Sequence, residues 1–146
     1  MIADAKAVNK FALIGVLDKA MFQFTVGDTT WYVGKHAACA ISTMCAYVKA
    51  HPAPEKLADM ITSMISHNSL RVHPTGSTVE LKKIPMKVYA TDDGTEIWIT
   101  ESMTRLFPGR LGLLAYVNPD NPTESGVLFK DSSGDPVGII MPVRHR

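Results

Sequence analysis

This 146-residue chain has no excess of either charge, since 15 lysines and arginines stand against 14 aspartates and glutamates. Seven basic and five acidic residues lie up to His73, eight and nine after it, so neither half is a polybasic arm or an acidic tail. Without such a block there is no strong sequence-independent pull toward nucleic acid or anionic membrane, although folding can still gather a local basic patch. There is also no long apolar run. The longest near the N-terminus, residues 11–17, falls far below the roughly 20 residues that span a bilayer. Met1-Ile2-Ala3-Asp4 lacks the basic stretch and apolar core of a signal peptide, and cysteine is limited to Cys39 and Cys45. These absences set the expectation of a cytoplasmic protein with reduced thiols and no membrane association. No segment repeats at a solenoid period and none is of low complexity, which leaves one domain over residues 1–146.

What is present is ordinary globular material. Hydrophobic residues make up 46% and charged residues 20%, enough apolar side chain for a core. Eight methionines suit an adaptable core or a contact surface that repacks around a partner. Residues 4–20 read either as a helix capped by Asp4, with Val8, Phe11, Ala12 and Gly15 on one face, or as a buried strand over 11–17. Short apolar runs do not separate by period alone, and the helix is preferred. Residues 22–26 alternate and return at 29–33 across Gly27-Asp28, a two-residue turn of the Gly-X kind. Residues 36–50 read as a helix with Ala37, Ile41, Met44 and Val48 in one stripe. Pro54 opens a further helix over 54–66, where Leu57, Met60, Ile61, Met64 and Ile65 follow i, i+3, i+4, i+7, i+8.

From Leu70 the period changes to two. Val79, Leu81 and Lys83 alternate with their neighbours, and 86–90 follows Pro85. Asp93-Gly94 is a hairpin turn into 95–100, where Ile97 and Ile99 face away from Trp98. A helical turn over 102–107 and strands over 111–117, 126–130 and 137–144 complete the pattern. The sum is an α+β fold: an antiparallel β-sheet, a meander in the C-terminal half, with two to three helices packed on one face. Alternating βαβ units are missing, which argues against a doubly wound nucleotide fold.

Candidate chemistry is sparse, and the residues give no catalytic, metal or cofactor site. Six residues apart on a helix, Cys39 and Cys45 are separated by about 600° and cannot share a metal. His36 with Cys39 makes two ligands, short of a zinc set. Asp92, Asp93 and Glu96 are better explained by turn chemistry than as a carboxylate cluster. Trp31, Tyr32 and Trp98 lack interleaved Lys and Arg, so sheet packing is preferred to base stacking. An enzyme or ligand-binding domain using Cys39 with a histidine, His67 or His73, stays open as an alternative.

The most specific stretch is Gly126-Val-Leu-Phe-Lys-Asp-Ser-Ser-Gly-Asp-Pro-Val-Gly-Ile-Ile-Met-Pro-Val-Arg144, preceded by Leu111-Gly-Leu-Leu-Ala-Tyr-Val-Asn-Pro-Asp120. Over residues 111–144 the chain resembles the closing hairpin of bacterial DNA polymerase sliding clamps of the β subunit type. Those chains end in a strand, Met-Pro, a hydrophobic residue and Arg, matched here by Met141-Pro142-Val143-Arg144. The resemblance implies a small non-enzymatic, phage- or mobile-element-encoded clamp-like protein that acts through protein contacts in DNA replication. It further implies helices separated by strands, a homo-oligomer through which any DNA would be met, and Met141, Pro142, Val143 and Arg144 lining an apolar groove for partner peptides. A second expectation of similar weight is an interaction protein such as a phage inhibitor of a host enzyme or defence system. It rests on one compact domain, many methionines and no catalytic motif.

Overall fold

A computed structural model describes residues 5–106 and 113–144. Asp4 as a helix cap, residue 107 of the expected helical turn and residues 111–112 of an expected strand lie outside them.

Ala5–Leu17 is helix α1, whose Val8 and Ala12 are fully buried with Phe11 and Val16 packed beside them. The helical reading of this ambiguous segment holds because its spacing collects these residues on one side. β1 (Phe22–Val26) and β2 (Thr29–Val33) pair residue for residue across Gly27-Asp28, with Gly27 at φ +58° as the first position of such a turn requires.

The expected helix over 36–50 is a correction. Ala37–Ser42 is strand β3, Thr43–Cys45 a single 3-10 turn, and an extended strap leads to the two-residue strand β4 (His51–Pro52). β3 lies mid-sheet between β2 and β10, and Ala37 through Ile41 are all buried. A strand covered on both faces shows no polar alternation, so its small apolar residues mimic a helical stripe. Three side chains hold the strap. The Asn9 amide donates to Cys45 O at 2.9 Å and accepts from Tyr47 N–H at 3.2 Å, the Tyr32 hydroxyl donates to Val48 O, and Gln23 Oε1 accepts from Ala50 N–H at 2.7 Å.

Helix α2 (Glu55–His67) forms where its apolar stripe predicts. The rest is β5 (Leu70–Leu81), β6 (Ile84–Ala90), β7 (Glu96–Thr100), a 3-10 segment Glu101–Leu106, β8 (Leu114–Val117), β9 (Val127–Lys130) and β10 (Pro136–Ile140). Lys83, expected in a strand, sits instead in the two-residue turn Lys82-Lys83 between β5 and β6. Both residues have positive φ, +52° and +68°, a conformation that costs a residue with a Cβ about 1–2 kcal/mol.

The fold is α+β, with two helices and one ten-stranded mixed sheet in the order β4-β1-β2-β3-β10-β9-β8-β5-β6-β7. Every neighbour pair is antiparallel except β1 with β4. The helices, expected on one face, lie on opposite faces. Ala37, Cys39 and Ile41 of β3 pack in the cluster that holds α1, whereas Ala38 and Ala40 pack with Ile61 of α2. Alternate residues of one strand point to opposite sides, so the two clusters are separated by the sheet. β5 bends: Leu70–Val72 pairs with β8, and His73 onward pairs with β6 past an irregularity between Pro74 and Thr78. The bend lets β7 come round to meet the chain just after β10, where Val143 forms a bridge with Trp98.

Candidate functional site

The four residues singled out at the C-terminus follow β10, which pairs with β3 and β9 as far as Ile140. Pro142 has no N–H to continue a ladder, so regular pairing stops near it. The chain then crosses from mid-sheet to the outer edge of β7. Met141 N–H donates to His36 O at 2.9 Å, and Val143 N–H donates to Trp98 O at 2.8 Å.

Val143 and Arg144 line a cleft of about 540 Å³ together with Leu81, Glu96, Ile97, Trp98, Thr123 and Glu124. Trp98 Nε1 donates to Glu96 Oε1 at 3.2 Å, which fixes the indole along one wall. Arg144 Nη2 lies 3.3 Å from Glu124 Oε1, with side chains 83% and 48% exposed. An ion pair so open to water contributes at most about 1 kcal/mol and is easily exchanged for another partner. Met141 and Pro142 do not line the cleft. Met141 turns toward Gly126 and Met64 of α2 instead, and both residues are half-buried.

The cleft combines apolar walls, an indole, two carboxylates and one guanidinium. β7 is the last strand of the sheet order, and Val143 bridges Trp98 on its outer side. The sequence pattern already turned Trp98 away from Ile97 and Ile99, which are buried. It held no signal that Leu81, Thr123 and Glu124 would join Trp98, because they come from a different strand and a distant loop.

The other candidate residues lie apart from this cleft. Cys39 is fully buried and desolvation drives its thiol pKa far above the ordinary value, which removes the thiolate that a nucleophile needs. His67 and His73 are both exposed: His67 Nδ1 sits 2.8 Å from Ser63 O, and His73 Nε2 lies 3.6 Å from Asp92 Oδ1. A thiol reagent added to the native chain is expected to modify Cys45 alone, which is half-buried, and to reach Cys39 only in denaturant. Two thiols titrating rapidly under native conditions would contradict this placement.

Asp93 behaves as a turn residue. Its carboxylate accepts from the Thr91 hydroxyl, from Thr95 N–H at 3.1 Å and from the Thr95 hydroxyl at 2.9 Å. These bonds, the Thr91 hydroxyl foremost, hold its pKa below the ordinary carboxylate value. Trp31 stacks on Phe24 with centroids 6.5 Å apart, in line with sheet packing. Among the described residues no group of three or more His, Cys, Asp or Glu is placed to hold a metal ion, and no helix is long and apolar enough to cross a membrane. A second cleft of about 480 Å³ lies between α2 and the turns at one end of the sheet. Its lining includes Thr29, Ser42, Thr62, Asp28 and Asp135 but no histidine, cysteine, lysine or arginine.

Compared with known proteins, the chain matches no family model, no curated protein and no solved structure.

Proposed function

We propose that this chain is a non-enzymatic, clamp-like protein whose C-terminal cleft captures an extended segment of a protein partner. The observation that carries the reading is the meeting of Val143 and Arg144 with Leu81 and Trp98 beside the outer edge of β7. An extended peptide there gains apolar contact with Trp98 and Val143, and charge contacts with Glu96, Glu124 and Arg144. Further support comes from the order of elements, because strands β1 to β4 separate α1 from α2 as the resemblance to sliding clamps implies. Work within DNA replication and self-association belong to the same proposal.

A library of displayed linear peptides, panned on the whole chain, tests it. Selected peptides are expected to bind the wild type and to lose about 30-fold in affinity with Trp98→Ala, the loss typical of an aromatic anchor. Far-ultraviolet circular dichroism checks that the variant is folded. Peptides that bind both proteins equally would sink the cleft. A chain that light scattering shows to be monomeric, and that ignores clamp-binding peptides, would sink the clamp-like reading.

A second reading, an inhibitor that acts by binding a host enzyme or defence protein, is favoured by the strap over residues 43–50. Asn9, Gln23 and Tyr32 hold its backbone while Met44 and Tyr47 stand 96% and 76% exposed. A partner lost on Tyr47→Ala and kept on Trp98→Ala would select this reading over the first.

A further inference from the structure

The near-neutral charge of the chain conceals a local asymmetry. Residues 70–90 hold Arg71, Lys82, Lys83 and Lys87 against Glu80 alone, leaving 11 of the 15 basic and 13 of the 14 acidic residues elsewhere. Three of these cations gather toward the tip of the β5–β6 hairpin. Lys82-Lys83 joins Leu81 to its partner Ile84, and Lys87 follows along β6 opposite Thr78. All three lysines are exposed, and among the described residues none has an ion-pair partner. The nearest acids in the pairing are Glu80, opposite Pro85, and Glu101, one residue beyond Thr100 opposite Met86.

The turn itself supplies a second, independent observation. With φ of +52° and +68° at Lys82 and Lys83, it has the two left-handed positions of a type I′ hairpin. Asn-Gly satisfies that turn with little strain, whereas lysine resists it. Lysine thus stands at two positions where the backbone disfavours it.

The geometry suits one class of partner. Lys83 stands in the turn and Lys87 on β6 beyond it, so the cations cluster at the end of a two-stranded ribbon. A duplex major groove is about 12 Å wide and admits a two-stranded ribbon. Exposed apolar surface at the tip is limited to Ile84, 48% exposed, and the neighbouring Pro85, too little to anchor the hairpin in a bilayer.

We propose that the β5–β6 hairpin is a nucleic-acid-binding ribbon, in which Lys82, Lys83 and Lys87 neutralise duplex phosphates without reading sequence. The ribbon lies outside residues 111–144, and its three lysines do not line the C-terminal cleft. It therefore stands or falls separately from peptide capture.

Fluorescence anisotropy of a labelled mixed-sequence DNA duplex of about 20 base pairs, titrated with the whole chain from about 50 to 200 mM salt, provides the test. Three phosphate contacts predict that log K falls against log salt with a slope of about −2.7. Lys82→Asn/Lys83→Gly removes two charges while giving the turn its favoured residues, so its melting temperature should not fall. Its binding at low salt should drop at least about tenfold and its slope flatten to about −0.9. Lys82→Gln/Lys83→Gln, which leaves the turn backbone as it is, should give the same loss. Absent duplex binding, binding unchanged in both double variants, or binding to phosphatidylserine vesicles with none to duplex would each overturn the proposal.

Discussion

Asn9→Ala is expected to lower the unfolding free energy by about 3 kcal/mol, read as a shift of the urea midpoint at unchanged slope. Asn9 is 1% exposed on the inner side of α1, where a buried amide is tolerated only if its donors and acceptor are met. They are met at α1 itself and at the strap: the amide donates to Ala5 O and Cys45 O, both at 2.9 Å, and accepts from Tyr47 N–H. Alanine leaves the Cys45 carbonyl and the Tyr47 amide without their partner, and each such loss costs about 1–3 kcal/mol where water cannot enter. The damage should be local as well as global. Hydrogen exchange at Tyr47 and Val48 should speed up in Asn9→Ala while amides of β9 and β10 keep their protection. A midpoint within error of wild type would mean that water already serves the strap, and that α1 is held by apolar contact alone.

Gly126→Val is expected to be about as harmful, roughly 3 kcal/mol, for a steric reason. A Cβ at this position would stand 2.6 Å from Ile139 Cγ2, 3.1 Å from Met64 Sδ and 3.3 Å from Met141 Sδ. The two thioethers are ends of flexible chains and can yield. Ile139 cannot, because it is 2% exposed on β10, between β3 and β9 and under α2. The backbone cannot retreat freely either, since the Asn68 amide donates to Gly126 O and ties the end of α2 to the start of β9. A double-mutant cycle gives the sharper measurement. Gly126→Ala and Ile139→Ala in one chain should be less damaging than the two separate losses added together, because the second removes the methyl that the first strikes. Strict additivity would show that the Ile139 contact is not the source of the cost.

Legibility in the sequence differed from element to element for identifiable reasons. α2 was readable because one face is apolar and the other meets water, so Leu57, Ile61, Met64 and Ile65 carry the helical period openly. The β1–β2 hairpin was readable because Gly27-Asp28 sets both the turn and the register. β3 was not. Ala37 to Ile41 face α1 on one side of the sheet and α2 on the other, and burial on both sides erases the alternation that marks a strand. Lys83 was misplaced in a strand because Lys-Lys is not the residue pair a type I′ turn favours. Of the C-terminal candidates, Val143 and Arg144 reach the cleft while Met141 packs inward toward Gly126 and Met64. Neighbours in sequence thus part company in space.

The sequence by itself determined the α+β class, helix α2, and the turns at Gly27-Asp28 and Asp93-Gly94, all of which rest on contacts between residues a few positions apart. Tertiary structure alone decided which face each helix covers, where β3 runs, and that Val143 meets Trp98. Those outcomes depend on pairings across long stretches of chain, and such pairings leave no period in the local pattern. The charge divides the same way: Lys82, Lys83 and Lys87 lie within six residues of sequence, and the fold decides that they stand exposed at the tip of the β5–β6 hairpin.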